Sequence, residues 1–456
     1  MGIMDLFGGK KKAEAEAAEK ERLEQEKIEE KVAAQKKAHE GLEWPPLPRL
    51  NPVNVENTKK IDVEDRISPE RKDEIGNMVF DLELGQDSIR FLNLQELLFL
   101  LTTQEVFNKK APLENYEANH RKLYNEFLNR VRDAEVVYVL YDAATGYPFI
   151  DHGYVNMYMD KENAEVAVKL FGQQFRKLMI RECQGEGSSD ESSKRGFFDY
   201  LYFLGIEHII VDNGFYRAHF RRSEIAAAPG QWTEDSKLPP SNPALNFAML
   251  DFLGEVRWPV KYEKRPQVIR AKEMRMASFA RNARFLVPMQ HEGPAMMTED
   301  GKVKLTKDSK IKFPVMKTQN GQDFLPVFTD GIEYAKKFKD GEWQGAAFTF
   351  QDILRLLQDK NGIIINPFGQ RIVMPKDRMA ALEMAAQQAE KAKKAAKKTT
   401  KKKATITDFR EFKEESEDKS KEDLTEMKDQ MPEAEDELHD IDGAPFTEAA
   451  EKPIED

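Results

Sequence analysis

Apolar and polar residues alternate along the middle of the chain in a pattern that predicts short strands separated by helices. Residues 135–142 and 154–160 have the apolar, β-branched and aromatic composition of half-buried strands. Residues 161–171 place apolar side chains at helical spacing directly afterwards. An Asn-Gly turn at 213–214, between two further apolar runs, predicts a hairpin that closes the domain.

The same order of elements returns after a period of roughly 150 residues. A strand is predicted at 324–328, a helix at 331–338, and a hairpin with Gly369 in its turn. Asp160 and Asp330 occupy matching positions ahead of the two helices. A repeat of this length indicates duplication of a whole domain. The predicted fold class is α+β, with two tandem small mixed-sheet domains and helices packed on the sheets.

These patterns divide the chain into five segments. They are a charged N-terminal helix (1–43), a linker (44–87), a first domain with a leading apolar helix (88–230), a second domain (231–378) and a disordered tail (379–456). The first segment is rich in Ala, Glu and Lys without a sustained apolar heptad. The tail is lysine-rich and then acidic, and neither part has the apolar residues to build a core.

Charge is distributed unevenly along these segments. The chain of 456 residues has a net charge of −11, and residues 408–456 alone contain 20 acidic and 6 basic residues. Residues 379–407 contain 8 lysines and 2 glutamates, so the two predicted domains together are close to neutral. A nucleic-acid binder needs a basic footprint on its folded part, and we therefore expect no nucleic-acid partner.

The chain also has few features of membrane or secreted proteins. No apolar run approaches the roughly 18 residues that a membrane span requires, and we expect no stable membrane association. The single cysteine, Cys183, cannot form an internal disulfide and requires no oxidising compartment. A cytoplasmic location is the resulting expectation.

Two motifs near the C-terminal end of the second domain carry a family resemblance. The segment 324–330 (FLPVFTD) and the hairpin 363–369 (IIINPFG) resemble the SseB family, over about residues 281–376. The first copy, about 112–225, resembles it by order of elements more than by motif. The resemblance implies a bacterial cytosolic protein of undefined biochemical role, and it supplies no catalytic residues.

The sequence contains none of the common catalytic, cofactor or metal motifs. Its seven histidines include no HExxH pattern, and no phosphate-binding glycine loop and no GxSxG elbow are present. We therefore predict no catalytic, cofactor-binding or metal-binding residues, no cofactor, and a protein that is not an enzyme.

The leading hypothesis is a non-catalytic interaction or scaffold protein with a protein partner of unknown identity. Its candidate partner-binding residues are Phe324, Pro326, Phe328, Trp343 and Phe368. Pro326 cannot donate to a strand ladder, so it predicts an edge position or a bulge. An edge strand can accept a partner's strand, although a proline can equally serve to protect such an edge. Trp343 and Phe368 are either exposed anchors or core residues.

Two alternative functions remain open from the sequence. One is a small-molecule sensor or enzyme with a polar site between the two domains, built from Asp151, His152 and Asp212. The other is a membrane-associated adaptor that uses residues 1–12, where four apolar side chains precede three lysines.

Overall fold

The computed structural model describes residues 4–48, 50, 63–187, 196–230, 238–293, 295–297, 303–305, 310–339, 341–389 and 391. The chain forms two compact units. The first unit comprises Met1–Phe279 with Thr329–Gly331, and the second comprises Ala280–Phe328 with Ile332–Asp456. Both contain helices packed on a small mixed sheet, so the predicted α+β fold class is confirmed. None of the helices in the described part of the chain has the length and apolarity that a bilayer crossing requires.

The first unit is built around one sheet. Its helices are α1 (Met4–Ala38), α2 (Pro69–Gly76), α3 (Gln86–Arg90), α4 (Leu94–Lys110), α5 (Tyr116–Asp133), α6 (Lys161–Gln173), α7 (Phe197–Phe203), α8 (Pro243–Val256) and α9 (Arg265–Asn282), with 3₁₀ turns at Asn77–Phe80 and Arg222–Glu224. Its strands are β1 (Val136–Asp142), β2 (Ile150–Asp151), β3 (Tyr154–Tyr158), β4 (Leu178–Gln184), β5 (His208–Val211) and β6 (Ala218–Arg221).

Strand order in this sheet is β4-β1-β3-β5-β6, with β2 paired to β3. The β3–β5 pair is parallel and the other pairs are antiparallel. One face packs against α6 through Tyr158, Ala164 and Phe171. The other face packs against α4, α5 and α7 in a larger core, in which Leu97 and Phe99 of α4 are fully buried. The leading apolar helix of the sequence is therefore a core helix.

The second unit repeats this plan. Its strands are β7 (Arg284–Glu292), β8 (Ala295–Met297), β9 (Val303–Leu305), β10 (Lys310–Lys312), β11 (Met316–Lys317), β12 (Asp323–Val327), β13 (Gln344–Thr349), β14 (Gly362–Ile365) and β15 (Ile372–Pro375). Its helices are α10 (Gly331–Ala335), which begins in the first unit, α11 (Phe350–Leu356) and α12 (376–389). Strand β13 pairs with β7, and a bridge between Leu286 and Phe328 joins β7 to β12, which continues to β14 and β15.

The two sheets agree in strand order, in pairing sense and in register. In the first, Tyr154–Met157 pair in parallel with His208–Val211. In the second, Phe324–Val327 pair in parallel with Gly362–Ile365. The closing hairpins also match, because β5–β6 and β14–β15 have the same four-residue antiparallel register. Asp160 and Asp330 thus stand at equivalent positions, as the sequence predicts.

Three segments differ from the predicted organisation. Residues 63–87, assigned to the linker, contain α2, a 3₁₀ turn and the start of α3, and they bury Ile75 and Phe80 in the first core. Helices α8 and most of α9, assigned to the second domain, belong to the first unit. Residues 379–389, assigned to the disordered tail, lie in α12, where Met379 is buried. Local sequence patterns do not show which core each piece joins, so the assignments depend on long-range packing. Residues 392–456 lie outside the described residues.

We predict that Gly362→Ala destabilises the protein strongly. Gly362 has a φ of +155°, and a Cβ atom there would lie 2.3 Å from the carbonyl oxygen of Met374. The free energy of unfolding of the variant should be lower by about 1–3 kcal/mol or more. The measurement is the midpoint of thermal unfolding of the full chain, which should fall.

The matched control is Gly254→Ala in the last turn of α8, where a Cβ atom would have no neighbour within 4 Å. Alanine is a better helix former than glycine by about 0.5–1 kcal/mol, so the control should unfold at the same or a higher temperature. A Gly362→Ala variant as stable as the control would contradict the described β14–β15 pairing.

Candidate functional site

Strand β12 is an interior strand of the second sheet, which corrects the expectation of an edge position for Pro326. It pairs with β14 on one side, and on the other side it contacts β11 and then β7. The last contact is a reciprocal pair of 2.9 Å hydrogen bonds between the backbones of Leu286 and Phe328. Backbone groups that point to the same side recur every second residue, so Pro326 and Pro288 stand opposite each other at the next pairing position.

Neither proline has an N–H, so the β7–β12 ladder cannot continue past Leu286 and Phe328. Pro326 therefore ends a ladder inside the sheet and does not mark or protect an outer edge. The sequence motif is correctly recognised, but the sheet position inferred from it is wrong because the partner strand is distant in sequence.

The structure buries three of the five candidate partner-binding residues. Phe324 is 3% exposed and packs against Ile364 and Val373. Pro326 is buried, and Phe328 is fully buried. Buried side chains offer no surface to a partner, so these three residues support the sheet.

Trp343 and Phe368, in contrast, belong to a group of rings that reaches the surface. The aromatic cluster consists of Phe328, Tyr334, Phe338, Trp343 and Phe368. The ring of Phe328 lies 5.5 Å from that of Tyr334, 5.7 Å from that of Phe338 and 6.4 Å from that of Phe368, between centroids. Phe338 extends the cluster to Trp343 at 6.1 Å.

Exposure increases from the centre of the aromatic cluster outwards. Phe368 is 43% exposed, while Tyr334, Phe338 and Trp343 are half-buried. The tyrosine hydroxyl donates a 2.9 Å hydrogen bond to the carbonyl oxygen of Trp343, which fixes the backbone at the tryptophan. Burial also raises the pKa of Tyr334, so its hydroxyl stays a donor at neutral pH.

The turn that presents Phe368 is held by a buried polar residue. Asn366 has a φ of +47°, which asparagine tolerates better than most residues. Its N–H donates to the carbonyl oxygen of Val327, its carbonyl accepts from Gly369, and its side-chain amide donates to Gln370 at 2.8 Å. The arrangement can bind an apolar partner side chain, because rigid rings with partial exposure make good contact anchors.

The structure does not bring together the three residues that were predicted to build a polar site between the domains, Asp151, His152 and Asp212. His152 Nδ1 lies 3.0 Å from Asp151 Oδ1 in the turn between β2 and β3. Asp151 pairs with Tyr154 of β3, whereas Asp212 follows Val211, the partner of Met157. Asp212 therefore lies beyond the end of β5, four residues or roughly 13 Å from Asp151 along the direction of β3. The first two residues therefore contact each other, while Asp212 has other partners.

Asp212 is a fully buried carboxylate that connects three elements. It accepts hydrogen bonds from Gln95 Nε2 at 2.7 Å, Asn163 Nδ2 at 3.3 Å and the backbone N–H of Met159 at 3.3 Å. Burial raises the pKa of Asp212 to about 7, against the effect of the hydrogen bonds, and the nearby carboxylate of Asp160 acts in the same direction as burial. Its role in the geometry is to hold α4, the start of α6 and the β5–β6 turn together.

Other reactive groups of the described residues are also held in structural positions. Burial raises the pKa of the Cys183 thiol to about 11, and the Tyr141 hydroxyl lies 4.0 Å from its sulfur. A thiol with this pKa is protonated at neutral pH and is a weak nucleophile. No group of three or more His, Cys, Asp or Glu side chains in the described residues has a metal-binding arrangement.

Sequence reasoning missed Tyr334 and Phe338 of the aromatic cluster and Gln95 beside Asp212. The i, i+4 spacing of the two aromatic residues was an available signal, because such residues share one helix face. Nothing in the sequence connects Gln95 with Asp212, since the contact joins residues that are far apart along the chain.

Residues 267–381 match the family model of the SseB protein N-terminal domain. The family resemblance of the second sheet is thereby confirmed, and the matched segment includes the whole aromatic cluster. Among curated proteins, no match to the chain is found. A solved structure described as Anabaena Tic22 (protein transport) is similar over 52% of this chain and 91% of its own, with 11% identity and a TM-score of 0.12. A TM-score of this size carries no information on function.

We predict that Phe328→Ala and Phe368→Ala differ sharply in stability, although both remove a ring from the same cluster. Phe328 is fully buried, and deleting such a side chain leaves a cavity that costs about 3–5 kcal/mol. Phe368 is 43% exposed, and its loss should cost about 1 kcal/mol or less. Urea unfolding of the two variants measures the difference. Equal destabilisation would contradict the described burial.

A second prediction concerns the pH dependence of stability. An unfolded aspartate titrates near 4, whereas folded Asp212 titrates at about 7, so the folded state binds a proton that the unfolded state loses. Stability should therefore fall as pH rises from about 4 to 7 and change little above that. The Asp212→Asn side chain cannot ionise, so the stability of this variant should not show the decline. Its free energy of unfolding should exceed that of the parent by up to about 3 kcal/mol between pH 5 and 7.5.

Asparagine suits this position for two reasons. It tolerates the φ of +55°. Its amide N–H can also donate to Asn163 Oδ1, which has no hydrogen-bond partner in the described structure. The control is Asp87→Asn on the exposed first turn of α3, which should leave the pH profile unchanged. Parallel profiles of Asp212→Asn and the parent would show that Asp212 titrates normally. Chemical unfolding at a series of pH values provides the measurement.

Proposed function

We propose that the protein is a non-catalytic interaction or scaffold protein of the bacterial cytosol, and that it binds a protein partner through the aromatic cluster. The observation that carries this proposal is the gradient of exposure within the cluster, from fully buried Phe328 to Phe368 at 43%. A ring that is packed on one side and exposed on the other loses little side-chain entropy on binding, and this favours its use as an anchor.

The surroundings of the cluster support the same function. Lys336, Lys337 and Lys339 are exposed beside Phe338, so apolar rings are flanked by polar groups. Interfaces commonly have this arrangement of an aromatic centre and a charged rim. Lys336 is also held by an ion pair with Glu333 at 2.8 Å.

We further propose that the first unit is a diverged copy of the SseB-like domain. Its strand order and register equal those of the second unit, although its sequence lacks the Pro-Val-Phe-Thr motif. Tyr158 and Val211 stand where the second copy has Phe328 and Ile365. The first copy has no counterpart of the exposed Phe368 ring in its tight Asp212–Phe215 turn, where Phe215 is buried. Partner binding is therefore assigned to the second copy.

The test uses full-length protein as bait in a lysate of the source cells. The double variant Trp343→Ala/Phe368→Ala should capture at least tenfold less of the specific partner than the parent, since two anchor rings are worth about 1–2 kcal/mol or more each. The control Phe91→Ala removes a phenylalanine that is 87% exposed on the first unit, and it should capture as much as the parent.

Circular dichroism and thermal unfolding should show that the double variant is folded. Undiminished capture by a folded double variant would refute the assignment of the aromatic cluster. A matching loss with Phe91→Ala would show that binding depends on general surface hydrophobicity.

A further inference from the structure

We propose that the outer edge of β13 binds an extended segment of the partner protein by strand addition, and that this segment is acidic and carries an aromatic side chain. The inference rests on the proposed function, since it specifies how the second unit holds its partner. It places the backbone contact on a strand that the sequence did not single out.

The Leu286–Phe328 pair shows which backbone groups of β13 are free. Leu286 directs its N–H and C=O to β12, so its neighbours on β7 direct theirs to β13. Leu286 faces Ala347 in the β7–β13 register, and Gly345 lies two residues before it. The N–H and C=O groups of Ala347 and Gly345 therefore point away from the sheet.

Both residues are exposed, and in the described part of the chain β13 has β7 as its one strand neighbour. Thr349, the next residue in this row, has its N–H bonded to Asp352 Oδ2 at 3.3 Å in the cap of α11. Two consecutive outward positions thus offer a donor and an acceptor each, which is the template that an added strand uses.

The edge lacks the usual protection against such pairing. Strand β13 reads Gln-Gly-Ala-Ala-Phe-Thr, without a charged residue or proline, and its six-residue register with β7 has no bulge. Three other outer strands of the two mixed sheets contain such devices. Strand β4 has Arg181 and Glu182, β6 has Arg221, and β15 ends at Pro375.

Side chains along the edge indicate what the partner segment carries. A Cβ atom at Gly345 would lie about 3.5 Å from the ring of Tyr334 and from the side chain of Leu286, so the aromatic cluster borders the strand at this glycine. An aromatic side chain on a neighbouring strand commonly packs beside an edge glycine. The partner's aromatic residue is therefore expected beside Gly345, in contact with the aromatic cluster.

Charge favours an acidic segment. Lys337 and Lys339 are exposed and have no ion-pair partner among the described residues. Glu342 has the opposite charge, but its carboxylate lies 3.3 Å from the side-chain amide of Gln290. Acidic side chains on an extended segment beside β13 can approach the two lysines.

The test measures binding of a defined peptide to the full-length protein by fluorescence anisotropy. The probe is a labelled ten-residue peptide that alternates valine with glutamate and has one central tryptophan. Ala347→Pro should weaken its binding at least tenfold, because the outward N–H is lost. The fold should persist, since an edge strand tolerates proline where the N–H faces solvent. The matched control Ala347→Val retains the N–H and should bind as the parent does.

Two further peptides test the chemistry of the partner. Lysine in place of glutamate should weaken binding at least tenfold, and two central prolines in place of valine should abolish it. No binding of the glutamate probe at 1 mM, or equal binding by the parent and a folded Ala347→Pro variant, would overturn the proposal.

Hydrogen exchange of the free full-length protein tests whether another segment of the same chain, or a second copy of it, covers the edge of β13. The amides of Gly345 and Ala347 should exchange rapidly without peptide and slowly with it. Protection without peptide at every concentration would show that the chain's own segment covers the edge. Protection that disappears on dilution would show a second copy there, and either result would overturn a partner segment as occupant.

The same variants separate this proposal from the proposed function. Loss of partner capture with Trp343→Ala/Phe368→Ala, but full capture with Ala347→Pro, would leave the aromatic cluster as the binding site and refute strand addition. Loss with Ala347→Pro alone would support strand addition and refute the aromatic cluster as the anchor.

Discussion

The paired hydrogen bonds between Leu286 and Phe328 set the geometry of the second sheet. They are the point where β7 joins β12, and the facing prolines at 288 and 326 prevent any further pairing. Because backbone groups and side chains both alternate along a strand, this one pair determines the rest. It places the Phe328 ring at the buried base of the aromatic cluster, and it directs the backbone groups of Ala347 outwards.

The two units also share a set of equivalent buried polar positions. Asp212 and Asn366 both follow the inner parallel strand, both have positive φ and both are fully buried. The third residue of the helix after the preceding strand is Asn163 in the first unit and Glu333 in the second, and it is buried in each. An acid and an amide therefore occupy these two positions in opposite order in the two units.

Much of this fold is predictable from the sequence, because strand and helix periodicities are local signals. The strands at 135–142 and 154–160 and the helix at 161–171 are found within a few residues of their predicted positions. Properties that depend on distant partners are not predictable in this way. Pro326 has the composition signal of an edge strand, yet β7 and β14 flank its strand. Phe328 and Phe368 are both aromatic residues near strand ends, and only the packing distinguishes the buried ring from the exposed one.

The two units differ at their equivalent outer strands, β4 in the first and β13 in the second. Tyr138 faces both Tyr158 and Glu182, and Leu286 faces both Phe328 and Ala347, so Glu182 and Ala347 are equivalent. In the first unit, Glu182 lies 3.7 Å from Lys161 at the start of α6, a helix of 13 residues. In the second, the equivalent helix has 5 residues and begins with glycine. Charged side chains and a long helix thus accompany one outer strand, while the other has no charged residue and adjoins a short helix. Because the strand order is the same in both sheets, the two outer edges differ in their side chains and in the length of the adjoining helix.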